Sequence, residues 1–210
     1  ATGMVVDAAN VVIENSTIGQ HLTIGGGTWQ NMQLALRDST VGGITNFSDV
    51  VWAASTTVAV TNVVFSSRVV WHFVQTNSAT TTFYACVMPT VEFYYVTIVQ
   101  TIVVFRYVTI SVVYSTPVAA GTVVSAAIRM GEAVIVDGAS QFQIVDTVVV
   151  STATVVNVYA VALYVCPTCF VQGADTVLNL ENTTLTAFSP NQNPRYTFAM
   201  WCEGAIRLGA

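Results

Sequence analysis

Apolar and polar positions follow one another along this chain in short runs, and the runs repeat. Residues 11–19, VVIENSTIG, lead with apolar positions, reach Asn15, continue with Ser16 and Thr17, and close on Ile18 and Gly19. The same order returns at Leu36-Arg-Asp-Ser-Thr-Val41, Val60-Thr-Asn-Val-Val-Phe65 and Leu180-Glu-Asn-Thr-Thr-Leu185. The apolar residues that open these early courses, Ile13, Leu36, Val60 and Phe83, recur at nearly constant spacing. A period of this size, roughly 20–30 residues, built from strand-like segments predicts a solenoid, because one coil can bury its apolar face only by stacking on the next. The runs FYYVTI at Phe93 and FRYVTI at Phe105 stand half a period apart, which predicts similar strands on two of the three faces of a coil. Ile144-Val-Asp-Thr-Val-Val149 and Leu180 continue the series at wider spacing.

In a parallel stack, equivalent positions of successive rungs lie about 4.8 Å apart. Asn15, Asp38 and Asn62 then form one ladder, and Ile18, Val41 and Phe65 form another. The apolar ladder belongs to the core. Asn and Asp accept tight turns and can bond to their own backbone, so the first ladder reads as a stack that stabilises a turn. A calcium or ligand ladder is the alternative, disfavoured by Asp38 being its single carboxylate. Gly25-Gly26-Gly27, Gly42-Gly43, Gly173 and Thr116-Pro117 read as turn or bulge positions. The triple glycine is not a phosphate loop, since no Lys-Ser or Lys-Thr follows it.

The chain divides into a β-solenoid over 1–188 and a C-terminal loop with a terminal strand or cap over 189–210, where Ser189-Pro-Asn-Gln-Asn-Pro194 is the clearest loop. The most apolar stretch, Phe93 to Phe105, falls well short of the roughly 20 residues that a membrane helix requires. It reads as buried strand, with no transmembrane helix expected.

Composition agrees with the pattern. The 210 residues include 39 Val and 28 Thr, whose branched side chains suit pleated strands, so the expected class is all-β. A β-sandwich or jelly roll, as in the β-rich subunit of a filament or capsid, is the alternative, and the regular early spacing favours the solenoid. Only 8% of residues are charged and no Lys occurs, which predicts a surface of Thr, Ser and Asn or one covered by neighbouring chains or glycans. A net charge of −5 with six scattered arginines excludes nucleic acid as a partner. The start at Ala1 shows no basic or apolar leader, as in a processed chain or a fragment.

Cys86, Cys166, Cys169 and Cys202 are candidates for disulfides or structural thiols. A four-Cys zinc site would need a second close pair, and a redox Cys-Pro-Thr-Cys would need a helix after it, where the sequence is β-type. Asn15, Asn46 and Asn182 open Asn-X-Ser/Thr acceptors for N-glycosylation, and together with the cysteines they point to an extracellular or cell-surface setting. Sugar cleavage would need converging carboxylates, and Glu132, Asp137, Asp146 and Asp175 form no tight pair in sequence. No nucleophile elbow occurs, and His72 between Trp71 and Phe73 reads as a packed or surface aromatic.

The courses VVIENSTIG and LNLENTTLTAF resemble the right-handed parallel β-helix of pectin-lyase-like proteins, and particularly non-enzymatic surface β-helices such as the trypanosome dispersed gene family. That resemblance implies a secreted or cell-surface scaffold with adhesive properties. The Asp, Arg and Lys signatures of the pectinolytic branch have no counterpart, so it transfers no active-site residue. The sequence therefore leads to an extracellular structural or adhesive scaffold, not an enzyme and without a cofactor, whose partners are other protein chains, copies of itself or glycans. Trp71, Tyr94, Tyr95 and Tyr107 are its candidate contact aromatics, with the core as their other destination. A polysaccharide lyase or hydrolase on the same β-helix is the competing reading.

Overall fold

The computed structural model describes residues 5–7, 9–116, 123–155, 158–173, 175–189, 197–203 and 205–206. These residues form a parallel β-helix, with strands on three sheets and no helix among the described residues. One seven-stranded sheet runs from Asn10–Glu14 through Gln33–Arg37, Thr57–Thr61, Thr80–Tyr84, Ile102–Arg106 and Gln141–Val145 to Val177–Glu181. A second carries the short strands that follow each corner, from Thr17–Ile18 to Thr184–Phe188. The third is long and bent, with 12 strands. Its early rungs are single strands, Leu22–Gln30, Thr45–Ala53 and Val69–Asn77, and its later rungs break in two at the bend.

The register follows the repeated courses. Ile13 faces Leu36, Leu36 faces Val60, Val60 faces Phe83, and the column continues through Phe105 and Ile144 to Leu180. Ile18, Val41 and Phe65 form a second column. The two aromatic-rich runs lie on different faces of one coil, with Phe93 in Val91–Tyr94 of the long sheet and Phe105 in Ile102–Arg106. Strand alternation sends every second side chain inward. The core so formed is a stack of rings: Phe83 and Phe105 lie parallel at 4.9 Å, and Phe47, Trp52, Trp71 and Phe93 pack edge to face or tilted at 4.9–5.7 Å.

Each corner needs a residue in the left-handed region. Asn15, Asp38, Asn62, Ala85, Tyr107, Asp146 and Asn182 fill the corner after the first sheet, all with φ between 45° and 55°. Asn62 Nδ2 donates to Asp38 Oδ1 at 3.0 Å, and Asn182 Nδ2 donates to Asp146 Oδ1 at 3.2 Å, so the amides cross-link neighbouring coils. Just inside this corner, Ser39, Thr147 and Thr183 donate their hydroxyls to the carbonyl two residues back, and Thr147 and Thr183 also reach the coil before. These three hydroxyls thus find acceptors, each such bond contributing about 1 kcal/mol net.

Gly25 to Gly27, expected at a turn or bulge, lie at the bend of the strand Leu22–Gln30, where Gly26 and Gly27 adopt positive φ. A Cβ on Gly25 would come within 1.9 Å of the Ser48 carbonyl oxygen, so glycine is required there by the close approach of the next coil. The later coils widen, as the spacing between Phe105, Ile144 and Leu180 shows. The extra length forms an annex in which Ala153, Val158 and Ala160 make a small core against Tyr114, Val123, Val155 and Ala187. Pro117, expected at a turn, lies outside the described residues. So does 190–196 of the C-terminal region, while Thr197–Cys202 adds a parallel strand beside Val158–Val165. No helix among the described residues is long and apolar enough to cross a membrane, and the run from Phe93 to Phe105 forms strands.

Candidate functional site

The chemistry of the molecule collects on the outer side of the long bent sheet. One outward column there holds Val70, Glu92, Arg129, Tyr164 and Trp201 on successive rungs. Arg68 Nη1 pairs with Glu92 Oε2 at 3.2 Å, and the Tyr94 hydroxyl donates to the same oxygen at 3.4 Å. Opposite Tyr94 the register slips, so that Gly131 is an extra residue before Glu132. This is a β-bulge, a device that re-aims side chains. The Tyr94 ring fills the space over Gly131, where a Cβ would meet its Cε1 at 2.2 Å.

The bend itself is a column of left-handed residues: Gly26, Asp49, Phe73, Tyr95 and Ala133. Gly and Asp suit this backbone, whereas for a residue with a bulky Cβ substituent it costs about 1–2 kcal/mol. Phe73 and Tyr95 are nevertheless there, 49% and 42% exposed, with their rings stacked 4.9 Å apart and His72 tilted against Phe73. The Tyr95 hydroxyl donates to Glu132. Tyr107, at the other corner, repeats the arrangement: it is 50% exposed, meets Tyr84 edge to face, and carries the Arg106 guanidinium 5.3 Å from its ring centre.

One rung beyond Ala133, residues 131–134 are matched by the turn Cys166-Pro167-Thr168-Cys169, closed by a disulfide between its two cysteines. Thr168 Oγ1 accepts from the Ala133 amide and ties the turn to the rung below. Tyr95, Arg129, Glu132, Tyr164 and this turn enclose an open groove of about 520 Å³. Arg129 lies over the Tyr164 ring at 5.6 Å and gives one bond to the Val124 carbonyl at 3.4 Å, while its buried Nε finds no acceptor.

Burial and then the Glu203 carboxylate, which accepts from the Tyr164 hydroxyl at 2.8 Å, push that phenol up to about 12. Burial likewise pushes the Cys86 thiol up to about 11. In both groups the folded state holds the proton more tightly than the unfolded chain does. Their contribution to stability is therefore complete below the ordinary values of about 8.5 for a thiol and about 10 for a phenol, and is lost as pH rises through the raised ones. Urea midpoints are expected to fall between about pH 8.5 and 12 by this effect, and Tyr164→Phe is expected to flatten the part of the fall above about pH 10. An equally steep fall in the variant would contradict it.

Several residues singled out from the sequence are placed differently. Trp71 is fully buried, because strand alternation turns Val69 and Trp71 inward while Val70 and His72 face out, so it is a core residue and not a contact aromatic. Tyr94 is half-buried over Gly131; Tyr95 and Tyr107 are exposed. The four cysteines form one bridge, not two. Cys86 is buried at the corner, where its thiol donates to the Tyr84 and Val60 carbonyls, and Cys202, on the strand Thr197–Cys202, takes no part in the bridge. Asn15 and Asn182 stand exposed at corners, while Asn46 is mid-strand with its amide oxygen buried, poorly presented as a glycan acceptor. Asn15, Asp38 and Asn62 occupy one corner column, and among the described residues no cluster of three or more His, Cys, Asp or Glu is placed to hold a metal ion.

Sequence reasoning missed Phe73, Arg129 and the groove. An aromatic in a left-handed position leaves no turn signal, and the bulge that shapes the groove depends on a register slip between distant segments. Compared with family models, curated proteins and solved structures, the chain finds no match in any of the three.

Proposed function

We propose that this chain is a non-catalytic, extracellular β-solenoid scaffold, part of a larger surface protein or assembly, that adheres through aromatic corners of its flank. The observation that carries the reading is the placing of Phe73, Tyr95 and Tyr107 in left-handed backbone with their rings exposed. Asn and Asp serve the same corners elsewhere in the stack, so the fold gains nothing from aromatics in these positions. Strained backbone retained at an exposed site is a mark of function, and exposed aromatic clusters are the commonest anchors of interfaces. The low charge of the chain leaves broad β faces that another chain or a glycan can approach with little desolvation cost. The disulfide and the exposed Asn15 and Asn182 acceptors support an extracellular setting. Glu92 and Glu132, the carboxylates of the flank, are already engaged by Arg68 and Tyr95, which argues for binding rather than acid–base work.

Beads coated with the chain are expected to adhere to one another or to immobilised glycans. The double substitution Phe73→Asn with Tyr95→Asn is expected to lower adhesion at least about tenfold, the loss of roughly 1.4 kcal/mol of contact. Wild-type beads that adhere to neither surface, or a polysaccharide that the purified chain cleaves, would overturn the reading.

A further inference from the structure

We propose that the groove between Tyr95 and the disulfide turn is a binding site for a small aromatic carboxylate, a function beyond the adhesive one. Along the bend, Phe73 and Tyr95 stack at 4.9 Å, the spacing of neighbouring rungs. The next rung offers only the methyl of Ala133, and beside it the bulge residue Gly131 offers no side chain outside the space that Tyr94 fills. The rung after that is closed by Pro167 and Thr168. The stack is thus interrupted for one rung and then capped, which leaves a slot two rung spacings high, about 9.6 Å between backbones. A flat ring seated on the open face of Tyr95 makes the contact that an aromatic side chain at Ala133 would make, with Pro167 on its other side.

Charge decides what the ring carries. All 11 carboxylates of Asp and Glu lie among the described residues, where Arg68 pairs with Glu92 and Arg106 with Asp146. Among the described residues no side-chain carboxylate pairs with Arg129, although its Nε is buried and lacks an acceptor. The nearest carboxylate in its column, Glu92 on the neighbouring rung, is held by Arg68. A half-buried guanidinium that lines a cavity with no carboxylate bonded to it can take an anion, its planar fork suiting a carboxylate. Glu132 stands at the same groove and repels a second negative charge, so the carboxylate is directed to Arg129 and the ring to Tyr95. A hydroxyl on the far side of the ring would have the Glu132 carboxylate as acceptor. A groove of about 520 Å³ is within the range of small-molecule sites.

Titration calorimetry of the intact chain with 4-hydroxybenzoate tests the proposal, with 4-hydroxybenzamide and glucuronate as controls. The benzoate is expected to bind with a Kd of about 1 mM or tighter, and the neutral amide at least about tenfold more weakly. Glucuronate, which has the charge but not the flat ring, is expected to bind more weakly than the benzoate. Arg129→Gln is expected to cost at least tenfold in benzoate affinity. Ala133→Phe fills the slot with a ring at a bend position where Phe73 and Tyr95 already show that the fold accepts one, and is expected to abolish binding while Arg129 is untouched. Failure of the benzoate to bind, equal binding of the amide, stronger binding of glucuronate, or full affinity in Ala133→Phe would each overturn the proposal. Neither variant alters Phe73 or Tyr95, so the adhesive reading stands or falls separately.

Discussion

Trp71→Ala is expected to lower the free energy of unfolding by about 3–5 kcal/mol, as measured by urea denaturation. Trp71 is fully buried at the centre of the long sheet, where it meets Phe47 at 5.7 Å, Trp52 at 4.9 Å and Phe93 at 5.3 Å. Its removal leaves a cavity that the surrounding rings cannot collapse to fill, because parallel pairing to both neighbouring rungs holds each backbone in place. Trp71→Phe is expected to cost much less, about 1 kcal/mol, because the indole Nε1 has no acceptor in the core and its loss removes an unmet donor. Alanine and phenylalanine variants of equal stability would contradict the stacked-ring account of the core.

The periodic part of this architecture is legible because two signals coincide in it. An inward apolar residue opens each course of the first sheet, and a left-handed corner follows where Asn15, Asp38, Asn62 and Asn182 keep the Asn or Asp that the conformation favours. Ala85 and Tyr107 hold the same corner without that signature, and the repeat fades from view where they occur. The wide coils obscured it further, since the annex adds length without changing the corner geometry. Facing was legible wherever polar and apolar residues alternate, as at Thr57–Thr61. It was not at Val69-Val70-Trp71-His72-Phe73, where outward Val70 is as apolar as its inward neighbours and Trp71 can be read either way. The groove lies deeper still, because it depends on a bulge opposite Tyr94, a methyl at Ala133 and a turn one whole coil further on.

The central claim is that one coil is the unit of stability, exchangeable among the early coils because there each rung pairs with its neighbours in an unbroken register. Removing Asp38 to Thr61, one full period, joins Arg37 to Asn62, which takes the corner position that Asp38 held. The strand Gln33–Arg37 then pairs with Thr80–Tyr84, setting Leu36 against Phe83, and Leu22–Gln30 pairs with Val69–Asn77, setting Ile24 against Trp71. Stability in a solenoid is close to a sum over coils and their interfaces, so the shorter chain is expected to fold with a smaller unfolding free energy. Removing only Asp38 to Asp49, half a period, places Val50 where the left-handed corner must be and joins the first sheet's strand to the middle of a strand of the long sheet. The coil left behind then lacks the second sheet's strand and cannot pair in register with its neighbours. That variant is expected not to fold. The decisive measurement is urea unfolding of the two deletions side by side, followed by circular dichroism. The account predicts a cooperative transition and a β signature for the full-period deletion and neither for the half-period one. Loss of folding in both, or its retention in both, would contradict it.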